Sequence, residues 1–418
     1  MLTKQLIPAT LFFIFSTQLF GQSNRPVYSP FTTTANRAKL YASIKWSINN
    51  LSVQLNDSSE DKWMAAFNAI ELIYDKSPWE SARIHYAFDS INCRSIAFQR
   101  ALLEMVYTIY PNQFSKEIDK LAEATLNEKI FAMSAEYLVR MHHDSMVASK
   151  FISLAKAKFN PGHPIIRSLL YTLERQPFKS NAFLKDIINE NYLRGNIVMY
   201  SIQRKNRDYP GIVLIKDSLG KFIRDSTGIV FNVPQLGRSL SNLPGYLTNG
   251  STPQGVFRMD GFDVSQSAFI GPTTNIQLTM PWETTLQHFM KDSSILDSIW
   301  SEKWYGRLLP ISAKEYFPLY GSYFAGMAGR TEIISHGTTV DPQFYHARTY
   351  FPLTPTEGCL CTKELWNEKD GKRVVSDQEK LVTALRKAGG AQGYCVVVEL
   401  DDKQEPVTIK ELASYFNE

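Results

Sequence analysis

The sequence predicts an α+β chain of more than one domain, with an N-terminal all-α part followed by a mostly β part. Three observations carry that prediction. The chain has 418 residues, more than one average domain holds. Through the first half, apolar residues recur at steps of three and four, the spacing that places them on one face of a helix. Near Gly195 the period changes to short β-favouring runs bounded by turn residues. The composition, 44% hydrophobic and 21% charged, is that of an ordinary globular protein. With 45 Lys and Arg against 41 Asp and Glu, the net charge is only +4. No Lys/Arg-rich run is present, which argues against a nucleic-acid partner.

Residues 1–21 read as a signal peptide, with Lys4 as the positive start, Leu11–Phe15 as the apolar centre and Gly21 as a small residue suited to cleavage. The apolar stretch is too short and interrupted to span a bilayer, and no later segment reaches the ~18 apolar residues of a membrane helix. No cysteine follows the signal for lipid attachment. The expectation is an exported protein of the periplasm or cell wall, with no transmembrane segment after signal removal.

Residues 22–194 are expected to form the helical domain. Its apolar periods run through Trp63, Ala66, Phe67, Ile70 and Ile73, through Ala101, Leu102, Met105, Val106 and Ile109, and through Phe131, Met133, Ala135, Leu138 and Val139. Ala69, Ala101 and Ala135 lie 32 and 34 residues apart. That spacing suits HEAT- or TPR-like helix pairs, which bury their faces by stacking; an irregular helical bundle is the alternative.

Residues 195–402 are expected to form the β domain, with strands at Ile197–Ile202, Ile212–Ile215, Ile229–Val233, Thr331–Ile334 and Tyr394–Val398. Gly and Pro between Pro234 and Pro253 mark loops. One helix is expected at Gln378–Ala388, with Ser376 as N-cap, Glu379 completing a capping box and Gly389 ending it. The segment 282–325 reads as an insertion rich in Trp and Tyr, and 403–418 as a C-terminal extension.

The chemistry-bearing residues are concentrated in Ile333-Ile334-Ser335-His336-Gly337-Thr338 and Pro355-Thr356-Glu357-Gly358-Cys359-Leu360. Cysteine attacks as thiolate, and an imidazole can take its proton and later return it to a leaving group. Cys359 is the candidate nucleophile and His336 the candidate base. Gly337 can offer its carbonyl to the histidine Nδ1, leaving Nε2 for the thiol. Gly358, without a Cβ, lets a substrate carbonyl approach, and the N–H groups around it can stabilise an oxyanion. Thr356 can support the turn. His346 is nearer to Cys359 in sequence, but Ala347-Arg348 after it fits no pattern. Cys93, Cys361 and Cys395 are too scattered for a disulfide framework, although Cys361 could pair with Cys395. No metal-ligand spacing and no phosphate loop is present, so neither a metal nor another cofactor is expected.

His-Gly-Thr followed by Thr-x-Gly-Cys-Leu, with Thr252-Pro253-Gln254-Gly255-Val256-Phe257 upstream, resembles the catalytic signature of the L,D-transpeptidases of YkuD type. The resemblance covers 195–402 and implies a small, largely antiparallel, sandwich-like catalytic domain. It implies an acyl-thioester at Cys359 formed from a peptidoglycan stem peptide and passed to an amine, giving a three-to-three cross-link. It also implies a lid within 282–325, where a satellite hydrophobic cluster is the bland alternative. Cys361 departs from the pattern, since the family commonly has Arg or Asn there, which puts substrate specificity in question. The helical half lies outside the resemblance and is assigned to a protein partner or wall polymer. The alternatives are an L,D-carboxypeptidase or other hydrolase on the same fold, and an inactive cell-wall-binding scaffold.

Overall fold

A computed structural model describes residues 26–174 and 182–416; the signal read at 1–21 lies outside them. The first half is helical: α1 (Thr34–Ile48), α2 (Glu60–Ile73), α3 (Pro78–Asp89), α4 (Ile96–Ile109), α5 (Ser115–Ala124), α6 (Glu128–His142), α7 (Ser145–Lys158), α8 (Pro164–Leu173) and α9 (Ala182–Ile188). Local chemistry sets their starts. Ser77 Oγ accepts from Glu80 N, and Glu80 Oε2 accepts from Ser77 N, a reciprocal cap for α3. Ser95, Asn127 and Asp144 cap α4, α6 and α7 with side-chain oxygens. Helix α2 packs on α4, α4 on α6, and α6 on α8, so alternate helices make one inner layer. That layer buries Trp63, Phe67, Phe98, Met105, Phe131, Ala135 and Leu169.

The second half holds β1 (Ile197–Gln203), β2 (Gly211–Lys216), β3 (Val233–Leu236), β4 (Gly255–Asp263), β5 (Asn275–Thr279), α10 (Leu286–Met290), α11 (Glu302–Tyr305), α12 (Gly321–Met327), β6 (Ile334–His336), β7 (Leu360–Thr362), β8 (Glu364–Trp366), β9 (Arg373–Ser376), α13 (Asp377–Ala388) and β10 (Gln392–Glu399). Eight strands close into a barrel in the order β1-β10-β4-β5-β6-β7-β3-β2, while β8 and β9 form a separate ribbon. This corrects the expected largely antiparallel, sandwich-like sheet: most neighbouring pairs are antiparallel, but the sheet is a closed barrel rather than a sandwich, and β1–β10 and β6–β7 pair in parallel. Parallel neighbours need a long connection, and the stretch 337–359 between β6 and β7 supplies one.

Both faces of β1, β2 and β10 are buried, which accounts for their apolar runs. Val198, Tyr200, Ile202, Leu214, Val396 and Val398 pack with Trp300, Tyr305, Tyr316 and Tyr323 of the aromatic segment. Met199, Val213, Ile215, Cys395 and Val397 pack on the other side with Leu381 and Leu385 of α13. Those four aromatics of 282–325 are therefore buried against the strands. The Tyr305 hydroxyl accepts from Val256 N at 2.7 Å and donates to Leu319 O at 2.7 Å.

Two expected strands shift. Asp225 accepts from the N–H groups of Thr227 and Ile229, a turn that holds residues 229–232 out of β3. Glu332 has a left-handed φ of 64°, so β6 begins only at Ile334. Helix α13 forms with Ser376 Oγ accepting from Glu379 N at 2.9 Å and Gly389 left-handed at its end. The Glu379 carboxylate pairs instead with Arg373 at 3.2 Å, so the cap is one-sided. Among the described residues, no helix is long and apolar enough to cross a membrane.

Packing ties the two halves together. Leu243, Tyr246 and Leu247, from the loop after β3, are buried in the helical core. The Tyr246 hydroxyl donates to Glu136 Oε1 at 2.7 Å, and Tyr345 donates to Leu72 O at 3.3 Å. In turn Phe183, Leu184, Ile187 and Ile188 of α9 pack with the barrel, as do Val407 and Leu412 from the C-terminal segment. There Arg204, fully buried, pairs with Asp401 at 2.6 Å and Glu411 at 2.8 Å. Leu247→Ala should therefore cost about 2–5 kcal/mol, the usual range for a buried leucine. In urea titrations, far-UV circular dichroism and tryptophan fluorescence should shift together to lower denaturant. A shift in one signal alone would mean the halves unfold separately.

Candidate active site

The turn carrying Cys359 is held by side chains of its own segment. Thr356 Oγ1 accepts from Gly358 N at 3.0 Å and donates to Cys359 O at 3.0 Å. The Gly358 N–H is thereby occupied. Gly358 has φ +114°, and a Cβ there would overlap the Arg330 guanidinium and the Gly250 carbonyl; only glycine fits. Its carbonyl accepts from Thr252 Oγ1 at 2.8 Å. The upstream Thr-Pro-x-Gly block and the cysteine turn, distant in sequence, thus meet.

Strand pairing brings in the histidine. In the parallel β6–β7 register Ser335 lies opposite Leu360 and His336 opposite Cys361. Cys359 therefore lies beside Ile334, and Ile334 N donates to its Sγ at 3.4 Å. Since side chains alternate along a strand, His336 and Cys361 share one face, with Ser335 and Leu360 on the other. Ser335 Oγ accepts from Gln235 Nε2 at 3.2 Å, away from the histidine. His336 Nδ1 lies 2.5 Å from the Gly337 carbonyl; that contact requires the proton on Nδ1 and leaves Nε2 as the basic atom.

The pair at rest is neutral. His336 is 4% exposed, and burial lowers its pKa to about 4. Cys359 is partly exposed, and desolvation pushes the thiol up to about 11 against the opposing Ile334 N–H and Arg330 charge. The sulfur's hydrogen bonds are to Ile334 N and to Glu332 O, the latter at 3.6 Å; the imidazole does not reach it at hydrogen-bond distance. Active-site hydrogen bonds are often long before a ligand binds.

Two further residues frame the site. Arg330 is 5% exposed; it donates to Ser251 O at 2.9 Å, to Gly250 O at 2.5 Å and to Gly245 O. Burial lowers its pKa to about 10, so it stays a cation at neutral pH beside Cys359. Glu364 packs its carboxyl against Gly337 and accepts from Ser376 Oγ at 2.5 Å; burial raises it to about 7. Sequence reading passed over both, because a lone Arg after Gly329 and a lone Glu in a short strand carry no pattern.

The other candidates separate clearly. His346 is exposed, its ring bonded to Gln343 O of its own turn at 2.9 Å. Cys361 is fully buried near Thr354 Oγ1 at 3.7 Å, and burial pushes it up to about 12. All four cysteines are free thiols, so the pairing of Cys361 with Cys395 left open by the sequence is not formed. Among the described residues, no group of three or more His, Cys, Asp or Glu is placed to hold a metal ion.

Compared with known proteins, the chain matches no family model, no curated protein and no solved structure.

Two outcomes follow. A thiol raised to about 11 is ionised less at pH 7 than an ordinary one of pKa ~8.5, by a factor of several hundred. Iodoacetamide labelling of Cys359, followed by peptide mass spectrometry, should be slow at neutral pH and rise about tenfold per pH unit through pH 9. A plateau below pH 9 would show an ionised resting thiol. Gly358→Ala should destabilise the protein more than Gly390→Ala. Both glycines have φ near +113°, but only Gly358 is crowded by neighbours. Thermal melts of the two variants decide this, since backbone strain alone costs about 1–3 kcal/mol in each.

Proposed function

We propose that this protein is an exported cysteine acyltransferase of L,D-transpeptidase type acting on peptidoglycan stem peptides. The observation that carries the reading is the junction of three separated segments: Thr252 bonded to Gly358 O, and β6, which ends at His336, donating Ile334 N to the Cys359 sulfur. Each segment belongs to the sequence pattern on which the resemblance rests. The proposed location, outside the cytoplasm, rests on the signal read at residues 1–21.

In this reading substrate binding brings the His336 Nε2 and the Cys359 sulfur together. The thiol proton passes to Nε2 as sulfur attacks the stem-peptide carbonyl. Collapse of the tetrahedral species breaks the C–N bond, and the imidazolium returns the proton to the leaving D-alanine amine. An acyl-thioester remains at Cys359. An acceptor amine then attacks it, giving its proton to His336 and releasing the sulfur, which recovers that proton. With the Gly358 N–H held by Thr356, the backbone N–H of Cys359 is the donor assigned to the oxyanion. Arg330 stabilises negative charge on the sulfur from behind the turn.

The neutral, separated resting pair favours one rival, an inactive wall-binding scaffold. Incubation with purified tetrapeptide muropeptides separates the readings by product mass. Cross-linked dimers mean transfer, trimmed tripeptides mean hydrolysis, and unchanged substrate means the proposal fails. Cys359→Ser should lower turnover by several powers of ten, because the alcohol is far less ionised. Cys361→Ser under reducing conditions and His346→Ala should retain most of it, whereas His336→Ala should not. Equal loss in Cys359→Ser and Cys361→Ser would overturn the nucleophile assignment.

A further inference from the structure

A cavity of about 450 Å³ lies in the seam between the helical half and the barrel. Neither Cys359 nor His336 lines it. Lys76 and Arg140 reach it from the helical side, Arg238 and Arg348 from the barrel loops, and Asp208 is the carboxylate among them. Asp208 is already committed to Arg238, at 2.6 Å. Lys76, Arg140 and Arg348 have no ion pair among the described residues. All four cations lie over tyrosine rings: Lys76 over Tyr110 at 4.8 Å, Arg140 over Tyr107 at 4.5 Å, Arg238 over Tyr350 at 5.0 Å and Arg348 over Tyr74 at 4.4 Å. Ring faces orient a cation without cancelling its charge.

Arg238 is 8% exposed and sits inside the seam rather than on its rim, with Tyr350, 1% exposed, behind it. Four cations therefore face one space with a single carboxylate, and that carboxylate is already paired. An anion between them balances the excess positive charge.

We propose that this seam is a binding site for a small organic anion, or a chain end, bearing clustered carboxylate or phosphate oxygens. Arginine forks from opposite walls grip such oxygens bidentately, and Lys76 adds a point charge. The volume suits a ligand larger than a single ion. Because the cations come from both halves, the ligand also clamps the helices to the barrel.

The test is direct binding, which does not depend on turnover or on the proposed reaction. The full chain is titrated calorimetrically with inorganic phosphate and, separately, with succinate, at ionic strength fixed by sodium chloride. At least one should bind one-to-one. The double variant Arg140→Gln/Arg348→Gln, altering exposed side chains, should weaken that binding at least tenfold. Binding of phosphate alone assigns a phosphate-bearing ligand, and binding of succinate alone assigns a carboxylate-bearing one. Absence of binding to both at millimolar concentration, or equal binding by the double variant, overturns the proposal.

Discussion

The buried Arg330 guanidinium is the interaction on which the rest of the structure depends. Removing a guanidinium from water costs several kcal/mol unless polar partners replace the lost hydration. Here the partners are the carbonyls of Gly245, Gly250 and Ser251, all on one loop. That loop also carries Leu243, Tyr246 and Leu247 into the helical core. The same guanidinium lies against Gly358, leaving no room for a side chain there. One cation therefore couples the seam loop, the packing of the two halves and the shape of the cysteine turn.

Burial has a second, electrostatic consequence. The enclosure that fixes His336 and Cys359 also disfavours their charged forms, lowering the imidazole to about 4 and raising the thiol to about 11. A site that is ionised at rest would react with any electrophile that reached it. A neutral site reacts only when a ligand brings the two groups together and supplies donors for the developing charge. The Arg330 charge beside the sulfur is fixed in place before that event, so it needs no reorganisation when charge appears. Glu364, packed on Gly337, holds from outside the peptide whose carbonyl sets the histidine tautomer.

Much of the fold could be read in the chain because it rests on local rules. The helices α2, α4 and α6 follow apolar periods of three and four, and β1, β2 and β10 follow β-branched runs between turn residues. Reading stopped where a single backbone angle or a distant partner decided. The φ of 64° at Glu332 removes the start of the expected strand at 331. The aromatic segment 282–325 was open between lid and cluster, and contacts with Val198, Tyr200 and Val396 bury its core side chains. Glu379 had the right spacing for a capping box, but Arg373, brought close by β9, takes its carboxylate.

By itself the sequence determined the helical and β halves and the cysteine and histidine worth testing. Each of these is written in residue type and short-range spacing. Tertiary structure alone decided that the sheet closes through two parallel pairings, that strand register sets His336 opposite Cys361 and Ile334 beside Cys359, and that Arg330 backs the turn. It also decided that residues 243–247 and 403–416 belong to packing on the far side of the expected boundaries. These outcomes depend on which long-range surfaces meet, and burial energy is a property of the assembled contact, not of any segment that enters it.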